Sequence, residues 1–154
     1  MTTLQIGDKA PYFSTFDQDG NQVRLTDFEG KKLVLFFYPK ASTPGCTTEA
    51  KNLRDHFDEF IKSNYAIVGV SADTAKRQKN FCIKNELPYP LLADESKEII
   101  NAYGVWGLKK FMGKEYDGIH RTTFVIDEKG MITAIIKKVK TKDHANQIFN
   151  FESL

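Results

Sequence analysis

Two cysteines, Cys46 and Cys82, carry whatever thiol chemistry this chain can perform. Cys46 closes the stretch Pro39-Lys40-Ala41-Ser42-Thr43-Pro44-Gly45-Cys46. An apolar run ends at Pro39 and a helical pattern begins near Cys46, so the thiol falls at a helix N-terminus. Free backbone N–H groups and the positive end of the helix dipole lie there. Both favour the thiolate, which is the nucleophilic form. Thr43 precedes Cys46 by one helical turn, where a hydroxyl can reach the sulfur or an oxygen bound beside it. Pro44 and Gly45 tighten the approach and let a ligand come close to the backbone. On spacing alone, an inert thiol buried at a helix start fits equally well, with Thr43 as a turn residue.

In a reducing compartment a cysteine pair is seldom a permanent structural bridge. Cys46 and Cys82 are therefore inert buried thiols, one of each kind, or a working redox couple. Zinc binding finds no support, because His56, His120 and His144 show no ligand spacing.

The elements that must position these residues are legible from periodicity. Lys32 to Tyr38 is a continuous apolar, β-branched and aromatic run, which suits a strand buried on both faces. Leu53, Phe57, Phe60 and Ile61 then fall on one face of a helix. Ala66 to Ser71 reads as a second buried strand. A second helix is predicted from Thr74 to Glu86, stopping before Pro88. Ala75, Gln78, Lys79 and Cys82 share one face of it. A short strand at Leu91 to Ala93 and a short helix from about Ser96 to Tyr103 follow. Arg121 to Ile126 and Met131 to Ile136 flank a polar loop containing Gly130, a hairpin signal. A final helix is predicted from Lys142 to about Phe151, with Ala145, Ile148 and Phe149 facing the core. Parallel crossovers followed by an antiparallel ribbon give an α/β fold, a mixed central sheet flanked by helices. That is the element order of a thioredoxin-like fold, and order alone also permits other α/β folds.

The chain has 154 residues with no repeat or linker, so residues 1–154 are expected to form one domain. A net charge of +2 gives no pull toward nucleic acid or anionic membrane. The local cluster Lys137-Lys138-Val139-Lys140-Thr141-Lys142 reads as a solvated strand end and loop. The longest apolar run, Leu33 to Tyr38, is too short for a membrane span, and the N-terminus lacks a signal-peptide pattern. The protein is therefore expected to be soluble and cytoplasmic.

Pro39, Thr43 and Cys46 reproduce the Pro-x-x-x-Thr-x-x-Cys signature, and with it the chain resembles the peroxiredoxins. The longer match from Phe37 to Ala50 looks like the bacterioferritin comigratory protein branch, also called peroxiredoxin Q. Tyr103 to Gly107, Phe111 to Lys114, Tyr116 to Asp127 and Gly7 to Phe13 resemble the same branch. The resemblance implies a thiol-dependent peroxidase. Cys46 matches the peroxidatic cysteine, Thr43 the residue that holds the peroxide oxygens, and Pro39 the shield of the sulfur. Arg121, otherwise a strand-end surface charge, matches the arginine that stabilises thiolate and polarised peroxide. Glu49, one turn into the helix, fits a hydrogen bond that orients Arg121, and fits equally well a carboxylate favoured by the helix N-terminus.

Many members of the branch carry a resolving cysteine five residues after the peroxidatic one, where this chain has Lys51. Others place it on the next helix, and Cys82 fits that arrangement. The implied cycle oxidises Cys46 to a sulfenic acid, forms a Cys46–Cys82 disulfide, and returns to the dithiol through thioredoxin or a similar reductant. Ala41 departs from the aspartate of many relatives. Hydrogen peroxide and organic hydroperoxides are the implied substrates; no metal, haem or flavin is implied. A monomer or weak homodimer is expected. A thiol–disulfide oxidoreductase lacks its Cys-x-x-Cys here. A non-catalytic binding module or holdase chaperone is the reading from another class.

Overall fold

The structure, a computed structural model, describes residues 2–152. The central strand is β3 (Lys32–Phe37), the apolar run singled out in the sequence. Both of its faces are covered. Val34 and Phe36 point into one apolar cluster, and Leu33, Leu35 and Phe37 into another. This two-sided burial explains why the strand reads as a continuous hydrophobic run instead of alternating.

β4 (Tyr65–Ser71) runs parallel to β3, and β5 (Leu91–Ala93) runs parallel to β4. β8 (Thr122–Ile126) lies antiparallel on the other side of β3, followed by β9 (Ile132–Ile136). The order is β5-β4-β3-β8-β9, the mixed sheet expected from the sequence. Gly69 in β4 is required by packing: a Cβ there would stand 2.8 Å from Leu91 and 2.9 Å from Phe36.

The first crossover contains α1 (Pro44–Asp55) and α2 (Phe57–Lys62). The predicted single face is broken at His56, so Leu53 and Phe60 are buried while Ile61 is exposed. The second crossover is α3 (Ala75–Lys84), whose N-cap Thr74 accepts from the Arg77 N–H. α5 (His144–Glu152) joins α1, α2 and α3 around the first cluster. α4 (Glu98–Ala102) covers the second cluster with the N-terminal segment.

Two hairpins escape the sequence reading. β1 (Ser14–Phe16) pairs with β2 (Gln22–Arg24), and β6 (Trp106–Phe111) with β7 (Lys114–Ile119). Between β6 and β7, Met112 and Gly113 both have positive φ, the requirement of a two-residue hairpin turn. Neither hairpin joins the five-stranded sheet, so neither needs a regular apolar alternation. Among the described residues no helix is long and apolar enough to cross a membrane.

Candidate active site

β3 ends at Phe37, and the chain turns through Pro39 to Thr43 before α1 begins. Ser42 sits in the left-handed region at φ 65°, reversing the chain between strand and helix. The loop is tied down by Asp73, just beyond β4. Its Oδ2 accepts from the Ala41 N–H at 2.7 Å and from the Ser71 hydroxyl at 2.6 Å. Ser71 in turn receives Gln78 Nε2 at 2.9 Å, and Gln78 Oε1 accepts from the Tyr38 hydroxyl. A buried polar network thus fixes the strand end that leads into the site.

Thr43 is the N-cap of α1, but its side chain does not cap the helix. The hydroxyl donates instead to the Lys40 carbonyl at 2.7 Å. Its hydrogen is committed there, so only its lone pairs face outward. The first helical bond runs from Thr47 N–H to the Thr43 carbonyl at 2.9 Å. The amides of Gly45 and Cys46 therefore have no intrahelical acceptor.

Cys46 is buried, with 1% of its surface exposed. Arg121, immediately before β8, donates from Nη2 to the sulfur at 3.4 Å and from Nη1 to Glu49 Oε1 at 2.6 Å. One guanidinium thus bridges the thiol and the carboxylate, the arrangement anticipated for Glu49. Burial works against the charge of Arg121, but Glu49 and Cys46 outweigh it and raise its pKa. Gly45 has a packing role the sequence did not suggest. A Cβ there would lie 3.2 Å from Arg121 Nη2, so the glycine makes room for the guanidinium.

Cys82 lies on α3 at the edge of the cluster that encloses Cys46. Both thiols are free, and they have different partners. Cys82 Sγ donates to the Leu87 carbonyl at 3.3 Å and accepts from Gln18 Nε2 at 3.6 Å. Burial, reinforced by Asp19, pushes its pKa up. Pro39 is half-buried and lines a cavity of about 410 Å³ together with Asp73, Trp106 and Lys109. Arg121 lines another, of about 200 Å³, with Lys109, His120 and Lys137.

Lys109 and Asp73 were missed by sequence reasoning. Lys109 lines both cavities, and its pKa is lowered first by burial and then by Arg121. Its only signal was a place on an unrecognised hairpin. Asp73 carried none beyond closeness to a strand end.

A thioredoxin-like sheet that brings a guanidinium to a sulfur at a helix start is the framework of a thiol-based oxidoreductase. Residues 6–135 match the AhpC/TSA family. Peroxiredoxin Bcp of Escherichia coli K12 is 46% identical over 151 residues, covering 98% of this chain and 97% of that protein. Peroxiredoxin Bcp of Bacillus subtilis 168 is 46% identical over 142 residues, covering 92% and 90%. Among solved structures, the bacterioferritin comigratory protein of Xanthomonas campestris, studied for alkyl peroxide reduction, superposes with a TM-score of 0.88 at 32% identity, covering 99% of this chain and 98% of that one. The chain belongs to the AhpC/TSA family, within its Bcp branch, and is a thiol-dependent peroxidase.

Proposed function

We propose that Cys46 is the peroxidatic cysteine and that Arg121, Thr43 and Pro39 form the peroxide site around it. The observation that carries this reading is the 3.4 Å contact from Arg121 Nη2 to Cys46 Sγ, with the other arm of the fork fixed on Glu49. The thiolate attacks one peroxide oxygen and the O–O bond breaks. The other oxygen leaves with the bonding pair and a proton, as water or an alcohol, and the sulfur becomes a sulfenic acid. Negative charge builds on the leaving oxygen, and preorganised donors aimed there lower the barrier. Arg121 and the free amides of Gly45 and Cys46 are such donors. The outward lone pairs of Thr43 accept the peroxide O–H. Pro39 excludes water on the side of the larger cavity.

Cys82 then attacks the sulfenic sulfur, releases water and leaves a Cys46–Cys82 disulfide. A dithiol reductant, thioredoxin or a similar protein, restores both thiols by exchange. Hydrogen peroxide and alkyl hydroperoxides are both substrates in this reading; the activity described for the Xanthomonas relative supports the second class. The test is peroxide consumption by purified protein with a dithiol donor. Cys46→Ser should abolish it, and Cys82→Ser should keep one turnover and stop. Mass spectrometry of non-reduced peptides after one equivalent of peroxide should show the Cys46–Cys82 link. Turnover surviving in Cys46→Ser would overturn the assignment.

A further inference from the structure

The arm of Arg121 that does not touch the sulfur ends on Glu49, which belongs to a buried polar cluster whose protons the steps above do not use. Glu49 and His144 are both fully buried. They are brought together by Asn52, one turn along α1 from Glu49. Its Oδ1 accepts from Ala145 N–H at 2.8 Å and its Nδ2 donates to the Lys142 carbonyl at 3.0 Å, seating the start of α5 on α1.

The hydrogens of this cluster can be placed. Lys140 N–H donates to Gln147 Oε1 at 3.0 Å, and Gln147 Nε2 donates to the Lys138 carbonyl at 2.8 Å. Gln147 Oε1 is therefore an acceptor, and His144 Nδ1, 2.9 Å from it, carries a hydrogen. In neutral His144 the bare nitrogen is then Nε2, which takes the Thr123 hydroxyl hydrogen at 2.7 Å. Glu49 Oε2 lies 3.5 Å from that bare nitrogen and has no hydrogen bond among the described residues. A fully buried carboxylate oxygen without a donor is costly when ionised. One proton removes the conflict. It sits on Oε2 itself, or on Nε2, where the imidazolium faces Oε2 and the Thr123 hydroxyl becomes the acceptor. Groups this close titrate as a pair.

We propose that Glu49 and His144 hold one proton between them in the reduced enzyme, and that this proton sets how much of the Arg121 charge is left for Cys46. The inference rests on the assignment of Cys46 and Arg121 made above. With the proton present, the pair is neutral overall and the guanidinium charge faces the sulfur uncompensated. Without it, the Glu49 carboxylate cancels that charge at 2.6 Å. His144 touches neither sulfur nor peroxide; it is a positioning residue that acts through Glu49 and Arg121. Burial pushes Glu49 up to about 7 against the pull of Arg121. Burial, with Arg121 adding to it, pushes His144 down to about 4, while its bond to Gln147 opposes both. Both directions favour the carboxyl over the imidazole as holder of the proton, and the pair gives it up as pH rises. Other ionisable groups surround the pair. Cys46 lies beyond Arg121, and Lys109, His120 and Lys137 line the cavity on its outer side. Tyr89, kept neutral by burial, donates to the Ala50 carbonyl at 2.7 Å.

The test follows the rate of Cys46 oxidation by hydrogen peroxide, by stopped flow, between about pH 5 and about pH 9, with thiolate absorbance recorded in parallel. The wild-type rate, corrected for thiolate fraction, should fall roughly threefold to tenfold as the pair loses its proton. Glu49→Gln, with an amide that cannot ionise, should show no such limb. His144→Gln places a permanent amide donor near the position of Nε2 and should move the limb to lower pH. Infrared difference spectra of the reduced wild type across the same range should show a protonated carboxyl band lost with rising pH and missing in Glu49→Gln. This spectroscopic readout stands even where the His144 variant fails to fold. A limb that persists in Glu49→Gln overturns the proposal. So does a wild type that depends on Cys46 yet shows neither the limb nor the carboxyl band. Turnover surviving in Cys46→Ser would overturn the functional assignment, and the proton pair with it.

Discussion

A Cβ at position 45 would stand 3.2 Å from Nη2 of Arg121, so any side chain there would press on the guanidinium. Gly45→Ala should therefore displace the fork by a few tenths of an ångström and slow Cys46 oxidation by roughly tenfold. Stability should stay level or rise, by up to about 1 kcal/mol, because alanine favours a helical turn over glycine. Stopped-flow rates and thermal melts on the same preparation separate the two effects. An unchanged rate would mean that the fork tolerates the shift.

Arg121→Lys tests the fork itself. Lysine keeps the charge but offers one ammonium where the guanidinium reaches both Cys46 Sγ and Glu49 Oε1. Sulfenic acid formation should slow by roughly one to two orders of magnitude. A rate equal to wild type would mean that the positive charge suffices and the fork does not matter.

Glu49 and His144 shape stability against pH in opposite directions. The Glu49 carboxyl is raised on folding from 4.5 to about 7, so its contribution is full below 4.5 and is lost as pH rises through about 7. The His144 imidazole is lowered from 6.5 to about 4, so its contribution is full above 6.5 and is lost as pH falls through about 4. Where the windows overlap the slopes oppose each other, and wild-type stability should be nearly level. Glu49→Gln leaves His144 alone, and that variant should weaken steadily as pH falls from 6.5 toward about 4. Urea unfolding at a series of pH values measures this; a slope equal to wild type would count against it.

Disulfide formation should loosen two segments at once. A disulfide needs Cα atoms about 4.4–6.8 Å apart. Cys46 is held by Arg121 at the start of α1, and Cys82 by the Leu87 carbonyl and Gln18 on α3. The two thiols rest on different partners, and joining them is expected to release both sets of contacts. Hydrogen exchange should rise on oxidation in the first turn of α1 and around Cys82. Unchanged protection in both segments would reject the model.

The sheet was readable from sequence because β3 and β4 are buried on both faces and leave continuous apolar runs. The hairpin of β6 and β7 was not, because it lies outside that sheet: Leu108, Phe111, Met112 and Tyr116 are all exposed, and only its base, at Trp106 and Ile119, meets the core. In the site, Pro39, Thr43 and Cys46 stand close enough in sequence to form a pattern. Arg121 was legible only through family resemblance. His144 left no local trace, because the bond pattern around it depends on how α5 meets α1. Gly45 was noticed for its freedom, but what fills the space above it belongs to a distant strand.

Arg121 and Cys46 are 75 residues apart in sequence, and Arg121 reaches the sulfur only because β8 pairs with β3, Thr122 opposite Phe37. A chain made from its N-terminus contains Cys46 long before it contains Arg121. Until β8 is synthesised and docked, the thiol has no guanidinium beside it. The Arg121–Cys46 contact therefore arrives with the last strands, after both cysteines have been made.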